Sequence, residues 1–382
     1  MITVSKGVRA GVLCVVMVTI AAAFHPPAVH PHSLHHEDGV GGFPCPEDTE
    51  IEPCTCTFDG VTFDLTCKNL ESEDVLKHVF TAHFPFTLFT SFTLIDSNIT
   101  TLAPDMFSPI SFQSVRFERN GLKGVQVLEA LSSSQTALEN FTLIEEVDSE
   151  EENSPWPLDG IDKFTKLQKL EVIGPYSAGS LSSTLTSVTL NIEGLTTLPS
   201  DAFTVATNLI TITLQNSSLE SIEANTFKSL THLETVDLSN CKLQKLTTDS
   251  LAFGAANLTL VDLSNNIIDT VESGAFNGIQ GNTSVNIDNN LLEELPQDPF
   301  STVITELTDE GHVDVNNNPL LCGCDLAWIV NLTDEERTRL QGLNTSCDIP
   351  DDIEFQKLLD FLKYQCDITD PPPPPSFWSM FF

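Results

Sequence analysis

The feature that most constrains this chain is a pattern of apolar residues that returns every 24 or 25 residues. In one unit, Leu258, Val261, Leu263 and Ile268 surround Asn266 at fixed offsets. The equivalents of Asn266 follow one another at intervals of 24, 24, 25 and 24 residues, and they are Glu193, Ser217, Cys241, Asn266 and Asn290. Five consecutive matches indicate an array in which each unit buries its apolar face by stacking on its neighbours.

The offsets have the form L-x-x-L-x-L-x-x-N/C-x-L, which is the leucine-rich repeat. Fainter units extend the array at Phe89 to Phe107, Phe112 to Val125, Leu138 to Glu146, Leu167 to Pro175 and Val313 to Leu320. We therefore predict an α/β fold: a leucine-rich-repeat solenoid of about ten turns with a curved parallel sheet on its concave face. Alternate residues of each strand should point into the core and out to solvent.

The position of Asn266 follows the strand, where the chain bends inward and leaves buried backbone groups that need partners. An Asn side chain can bond to the backbone of its own and the neighbouring turn, and a Cys thiol is a weaker donor that also fits an apolar interior. For Cys241 the alternatives are a nucleophile, a metal ligand or half of a disulfide. Because thiol reactivity needs exposure and a lowered pKa, we interpret Cys241 as a buried structural thiol.

Eight other cysteines flank the array, and they are Cys45, Cys54, Cys56, Cys67, Cys322, Cys324, Cys347 and Cys366. An open solenoid needs end caps, and spacing alone leaves three disulfide pairings for each set of four. Zinc held by the two C-x-C pairs is an alternative, although structural zinc sites usually space their cysteines about two to four residues apart.

Both cysteine sets resemble the caps of secreted extracellular leucine-rich-repeat proteins, through the spacing C-x8-C-x-C-x10-C and the run NPLLCGCDLAWIV. The resemblance implies disulfides that pair Cys45 with Cys56, Cys54 with Cys67, Cys322 with Cys347, and Cys324 with Cys366. At a finer level, CTCTFDG and ESEDVLKHVF resemble secreted arthropod chains similar to the non-catalytic leucine-rich-repeat subunit of a shrimp luciferase. That resemblance implies a supporting role beside a separate catalytic polypeptide, with no catalytic residue to carry over.

The chain ends predict the compartment. Lys6 and Arg9 precede an apolar run that closes on Ala23, the form of a secretory signal peptide at 1–23. This run falls short of the roughly 20 apolar residues that span a bilayer, and no second such segment exists, so we expect a secreted, extracellular chain without membrane insertion. The predicted order continues with a His/Pro-rich arm at 24–44, an N-terminal cysteine cap at 45–75, leucine-rich repeats at 76–318, a C-terminal cysteine cap at 319–366 and a Pro-rich tail at 367–382.

The net charge of the chain limits the classes of macromolecule that we expect as its partner. The formal net charge is −37, with 17 basic residues, which argues against nucleic acid. One outward column of the predicted sheet is acidic toward its carboxy-terminal end, and its predicted binding residues are Asp237, Asp262, Asn286, Asp288, His312 and Asp314. We predict a concave site for a protein partner with a basic patch, with an ordinary solvated sheet face as the alternative. Calcium is less favoured because no regular acidic loop supplies the about six to eight oxygens it prefers.

Enzyme signatures are missing from the sequence, which contains no G-x-S-x-G and no H-E-x-x-H. His312 and Asp314 share an outward face, but no Ser or Cys nucleophile is evident near them, so an intrinsic hydrolase is a weaker alternative. We predict no catalytic residue, no metal and no cofactor.

The repeat spacing is irregular in one place, with 29 residues from Glu146 to Pro175 and 18 from Pro175 to Glu193. A buried carboxylate is costly and proline lacks an N–H, so these are poor ladder residues. The acidic run Glu145 to Glu152 predicts either a wandering loop or a projecting partner-binding loop with Trp156 as its apolar anchor.

Seven N-x-S/T sequences predict glycosylation, at Asn98, Asn140, Asn216, Asn257, Asn282, Asn331 and Asn344. Asn140 and Asn216 map to the predicted concave face, where glycans would leave its carboxy-terminal half more open. Asn282 falls on a first-leucine position of the repeat.

Overall fold

We analysed a computed structural model. It describes residues 43–122, 126–145, 156–157, 160–174, 176–177, 181–192, 195–308, 310–343, 347 and 355–366, all within the second of two compact units, Gly41–Phe382. The predicted signal peptide, most of the arm, the loop at 146–155, the side chain of Trp156, the positions Pro175, Glu193 and Asn344, and the Pro-rich tail lie outside the described residues.

One thirteen-stranded sheet runs through the described chain in sequence order. Its strands are β1 (Thr55–Phe58), β2 (Phe63–Lys68), β3 (Leu88–Ile95), β4 (Ser111–Glu118), β5 (Asn140–Ile144), β6 (Lys169–Gly174), β7 (Ser187–Ile192), β8 (Thr211–Thr213), β9 (Thr235–Asp237), β10 (Leu260–Asp262), β11 (Ser284–Asn286), β12 (His312–Asp314) and β13 (Leu340–Gln341). β1 and β2 are antiparallel, and every later neighbour is parallel. The ten predicted turns are confirmed as β3 to β12, and the caps add β1, β2 and β13, which the sequence did not predict.

Short elements connect these strands. Two-residue parallel pairs join Thr197–Leu198 to Ser221–Ile222, Lys245–Leu246 to Thr270–Val271, Leu251–Ala252 to Phe276–Asn277, and Trp156–Pro157 to Tyr176–Ser177. The α-helices are α1 (Asp48–Ile51), α2 (Glu73–Val79), α3 (Gln126–Ala130), α4 (Gln297–Glu306), α5 (Asp334–Thr338) and α6 (Phe355–Gln365). The 3₁₀ helices are Ser132–Ser134, Ile161–Lys163 and Cys324–Asn331.

The core forms as the repeat predicts, from alternate strand residues and the leucines around them. Val236 and Leu238 are fully buried, whereas Thr235 and Asp237, which alternate with them along the chain, are partly exposed. On the side away from the sheet, Phe227 stacks between Phe203 and Phe253, with ring centroids 6.0 and 5.4 Å apart. Each such buried side chain contributes about 1.5–3 kcal/mol, so the stacked turns stabilise one another.

A ladder of buried polar side chains joins the turns just after the strands. Asn266 accepts a hydrogen bond from the Leu243 N–H at 3.0 Å and donates to the carbonyls of Leu238 and Leu263 at 2.9 Å. Asn290 and Asn318 repeat this arrangement one and two turns later. The residue before each ladder Asn has a left-handed backbone, which Asn tolerates better than most residues, and these residues are Asn265, Asn289 and Asn317.

Cys241 occupies the same ladder, as predicted. Its side chain is buried, and Sγ donates to the carbonyl of Leu214 in the preceding turn at 3.2 Å. Sγ also lies 3.2 Å from Oγ of Ser217, the neighbouring ladder residue. Burial raises the pKa of the Cys241 thiol, which disfavours the reactive thiolate. Cys241 therefore satisfies a backbone carbonyl of the core.

In the irregular turn, the ladder residue lies one position earlier than we predicted from the sequence. Glu145, which we assigned to the projecting acidic loop, is buried and takes the ladder role expected of Glu146. Its Oε2 accepts from the N–H groups of Asn120 and Gly121 at 2.8 and 2.7 Å. Desolvation raises the pKa of this carboxyl, and the two backbone hydrogen bonds oppose that rise in part. Two N–H donors converge on Oε2, while Oε1 is shielded from solvent and has no hydrogen-bond partner among the described residues, so the desolvation of this carboxylate is offset only in part.

Disulfides close both ends of the array. Cys45–Cys56 ties the segment before α1 to β1, and Cys54–Cys67 ties the residue before β1 to β2. Cys322–Cys347 and Cys324–Cys366 fasten the carboxy-terminal cap. These are the pairs that the resemblance implies. In the second cap Trp328 is buried and its indole N–H donates to the carbonyl of Leu295 at 2.9 Å.

The ladder makes a quantitative prediction. Asn266→Ala leaves the Leu243 N–H and the Leu238 carbonyl without their partner, so we expect the free energy of unfolding to fall by at least about 1–3 kcal/mol. Asn277→Ala is the matched control, because Asn277 is exposed and, among the described residues, its side chain bonds only to Asp249, at 3.2 Å. Chemical denaturation of both variants checks the prediction, and equal stability losses would contradict it.

Candidate functional site

The predicted column of outward residues is continuous across the sheet. Strand pairing places Thr213, Asp237, Asp262, Asn286 and Asp314 side by side on β8 to β12. Neighbouring strands are about 4.8 Å apart, so these side chains form one row. We call Asp237, Asp262, Asn286 and Asp314 the acidic stripe.

Each member of the acidic stripe also closes its own turn. Oδ1 of Asp237, Asp262 and Asp314 accepts a hydrogen bond from the backbone N–H two residues later, at 3.0, 2.9 and 2.9 Å. Asn286 does the same for Asp288 at 3.1 Å, so an amide serves as well as a carboxylate in this turn. The turn explains an Asp or Asn at each position, but it does not explain why three of the four carry a charge.

The two halves of the outward face differ in charge balance. In the amino-terminal half, Arg116 lies between Glu118 and Glu171, with N–O distances of 2.6 and 3.9 Å. Arg119 pairs with Asp96 at 2.7 Å and also with Glu118. The hydrogen bond from Arg119 holds the pKa of Asp96 below its usual range, and the hydrogen bond from Arg116, with Arg119 beside it, does the same for Glu118. We did not predict this network of salt bridges from the sequence. In the described part of the chain, no salt bridge reaches the acidic stripe or Asp288.

Asp288 adds a further carboxylate beside the acidic stripe. Its Oδ2 accepts from the Asn289 side chain at 3.1 Å, while Oδ1 is shielded from solvent and has no hydrogen-bond partner among the described residues. Desolvation raises the pKa of this carboxyl, and repulsion from Asp314 and Asp262 raises it further. The carboxylates at this end of the sheet therefore concentrate negative charge that the described residues do not neutralise.

His312 has a hydroxyl neighbour that the sequence analysis did not find. Nδ1 of His312 lies 3.3 Å from Oγ of Ser284, the preceding residue of its column, and 3.4 Å from the Glu310 carbonyl. Our statement that no Ser lies nearby was wrong, because residues that are one repeat apart in the sequence lie side by side in the sheet. Asp314 does not complete a triad, since its Oδ1 accepts from the N–H and the side chain of Asn316 at 2.9 and 2.6 Å.

Two predicted glycosylation sites are placed differently from expectation. Asn216 is exposed and has a left-handed backbone in the turn after β8, beyond the end of the strand at Thr213. Asn282 is exposed and bonds to Thr308 and Glu310, while Thr283 takes the buried position that we gave to Asn282. Asn140 does lie on the outward face, on β5, and is half-buried. The carboxy-terminal half of the face therefore carries no predicted sequon on its strands.

Other predicted chemistry concerns metals and membranes. Within the described ranges, no three His, Cys, Asp or Glu side chains are arranged to hold a metal ion. No helix in that part of the chain has the length and apolar character to cross a membrane.

The raised pKa of Asp288 predicts a pH-dependent stability change. The charged form is disfavoured in the fold, so the resulting destabilisation is complete above the folded pKa and disappears as pH falls to the unfolded value of about 3.9. We expect Asp288→Asn to raise the thermal unfolding midpoint at pH 7, with the difference from wild type vanishing near that lower pH. Calorimetry across this range measures both midpoints, and a pH-independent difference would contradict the prediction.

Comparisons with known proteins agree with this architecture. The family model described as BspA type leucine rich repeat region matches in six copies over residues 173–305. The chain is similar to the Oplophorus-luciferin 2-monooxygenase non-catalytic subunit of Oplophorus gracilirostris, at 29% identity over 165 residues. That match covers 42% of this chain and 44% of the relative, so the chain spans less than half of the relative's length.

Among solved structures, a chain of the octameric complex of Latrophilin 3, Unc5D and FLRT2 (LRR) matches with a TM-score of 0.50 and 16% identity. This match covers 75% of the present chain and 84% of the other, and it supports the fold alone. With the repeat register, the thirteen-stranded sheet and the four disulfides, the chain is a leucine-rich-repeat solenoid with disulfide-bonded caps at both ends.

Proposed function

We propose that this chain is a protein-binding scaffold whose acidic stripe, with Asp288 and His312 beside it, holds a basic patch on a partner. The observation that carries the proposal is a row of three carboxylates and one amide on four adjacent strands, with no salt bridge from the described residues. Desolvation raises the pKa of Asp288, and repulsion from Asp314 and Asp262 adds to that rise; a cationic partner would relieve the repulsion.

The location favours the carboxy-terminal half of the sheet over the amino-terminal half. The arginines on β4 and the turn after it already neutralise Glu118 and Asp96. The predicted sequon on the sheet face, Asn140, also lies in the amino-terminal half. A basic partner would therefore find both charge and open surface on β9 to β12.

A second candidate is a supporting role beside a secreted enzyme. It rests on the similarity to the non-catalytic subunit of Oplophorus-luciferin 2-monooxygenase. In this role the chain carries no catalytic residue and stabilises a separate catalytic polypeptide through the same acidic stripe. The two candidates differ in whether the captured partner has an enzymatic activity.

We infer that the chain works outside the cytosol. Its four disulfides require an oxidising compartment to form and persist. The predicted signal peptide and sequons agree with secretion into extracellular fluid. The loop at 146–155 with Trp156 remains a second proposed contact region.

The test removes the negative charges of the acidic stripe and keeps the hydrogen bonds that close its turns. In Asp237→Asn, Asp262→Asn and Asp314→Asn combined, the amide can still accept from the N–H two residues later, as Asn286 does. Three exposed ion pairs are worth roughly 0.2–1 kcal/mol each, so we expect partner affinity at low salt to fall roughly 3- to 100-fold. Affinity purification from native extracellular fluid identifies the partner, and titration measures its affinity.

The matched control carries Asp59→Asn, Asp74→Asn and Asp201→Asn, which change the net charge equally at exposed sites away from the acidic stripe. We expect this control to bind as wild type does, and wild-type binding to weaken as salt rises. Unchanged affinity in the stripe variant, or equal losses in both variants, would overturn the acidic stripe as the site. An enzymatic activity in the captured partner would favour the supporting role.

A further inference from the structure

The hydrogen-bond ladder has one member whose bonding is incomplete. Glu145 follows β5, and its side chain is only 3% exposed. Its Oε2 accepts from two backbone N–H groups, whereas its Oε1 is shielded from solvent and has no hydrogen-bond partner among the described residues. The protonation state of the carboxyl group decides what Oε1 can do, because an ionised carboxylate only accepts and a neutral acid also donates.

Other ladder side chains supply the donor that an ionised Glu145 lacks. Each of six donates a hydrogen bond to a backbone carbonyl, and these are Ser97, Asn120, Cys241, Asn266, Asn290 and Asn318. The Asn side chains combine this donor with an acceptor oxygen, as Asn120 does by donating to Leu94 and accepting from Ser97. A neutral carboxylic acid offers the same combination, with one accepting oxygen and one O–H group.

The strand register identifies the acceptor for such an O–H group. Asn120 donates to the carbonyl of Leu94, and the pairing of β3 with β4 sets Leu94 beside Phe117. One turn later, the equivalent acceptor for Glu145 is therefore the carbonyl of Phe117. Because Oε2 already accepts from the N–H groups of Asn120 and Gly121, the proton belongs on Oε1.

Among the described residues, Glu145 has no ionic partner that would favour its charged form. The ionisable side chains near the ends of the neighbouring strands are Glu118, Arg119 and Glu171, and each of them already pairs with another residue. Lys123 lies outside the described residues. Desolvation is the largest influence on the pKa of Glu145 and raises it, while backbone hydrogen bonds lower it by less.

We propose that Glu145 is held as a neutral carboxylic acid in the fold and that loss of its proton is a pH switch in the irregular turn. In the neutral form Oε1 donates to a core carbonyl, and the turn is bonded like the Asn turns. In the ionised form that donor is lost and a charge is buried, so β5 is held less firmly to β4. Glu145 is the last described residue before 146–155, so the switch acts where the irregular repeat spacing begins. The proposal does not depend on the acidic stripe or its partner.

Carbon-13 NMR of the full chain, labelled at the glutamate side-chain carboxyl, tests the protonation state directly. The resonance that is missing from Glu145→Gln belongs to Glu145. We expect the titration midpoint of this resonance to lie well above the pKa of about 4.3 of an unperturbed glutamate. A midpoint at or below that value overturns the proposal.

The stability of Glu145→Gln tests the energetic consequence, because the amide keeps an acceptor and a donor at every pH. The contribution of neutral Glu145 is complete below its unfolded pKa of about 4.3 and is lost as pH rises through its folded pKa. We therefore expect wild type and variant to be equally stable at low pH. At higher pH, the unfolding equilibrium constant of wild type should rise relative to that of the variant, by up to about tenfold per pH unit.

Chemical denaturation across this pH range measures both equilibrium constants. Glu129→Gln is the matched control, since it removes one charge at an exposed position of α3. We expect its unfolding equilibrium constant to stay close to that of wild type at every pH. A difference between wild type and Glu145→Gln that does not change with pH, or an equal change in the control, overturns the switch.

Hydrogen exchange shows where the ionised form is weakened. At a given pH, the intrinsic exchange rates of wild type and Glu145→Gln are alike away from the substitution, so a difference in protection reports local opening. We expect wild type to lose protection in β5 and residues 120–122 above the folded pKa of Glu145, with β9 to β12 unchanged. A loss of protection spread evenly over the solenoid, or no loss in β5, contradicts a switch in this turn.

Discussion

The interaction on which this structure depends is the buried hydrogen-bond ladder that joins each turn to the next. A chain that bends inward after every strand carries backbone groups into a core without water, where each unsatisfied group costs about 1–3 kcal/mol. Asn266, Asn290 and Asn318 satisfy these groups on two turns at once. Cys241 and Glu145 hold the same role with different chemistry, since a thiol donates to one carbonyl and a carboxylate accepts from two N–H groups.

The ladder fixes the turns in register, and this register brings the members of the acidic stripe together on neighbouring strands. Equivalent residues of successive turns lie on neighbouring strands. An Asp or Asn that recurs at this position therefore forms a continuous row, in which neighbouring strands are about 4.8 Å apart. The carboxylates of the acidic stripe close turns and also hold charge that the described residues leave unbalanced. The structural role lies in the turn hydrogen bonds, and the binding role that we propose for the same side chains rests on their charge.

Much of this architecture could be predicted from the sequence, because residues separated by one repeat period lie next to each other on neighbouring strands. The ten turns, the outward column and the ladder position of Cys241 follow from counting residues. The failures occur where the period breaks or where adjacency crosses turns: Glu145 replaced Glu146, Thr283 replaced Asn282, and Ser284 proved to lie beside His312.

The most direct test of the central claim is carboxylate footprinting of the chain, free and bound to its captured partner. Carbodiimide-activated labelling followed by mass spectrometry gives the modification of each Asp separately. We predict that the partner protects Asp237, Asp262 and Asp314, while Asp59 and Asp201 are labelled as in the free chain. Unchanged labelling of the acidic stripe in a saturated complex, with protection elsewhere, would contradict the account.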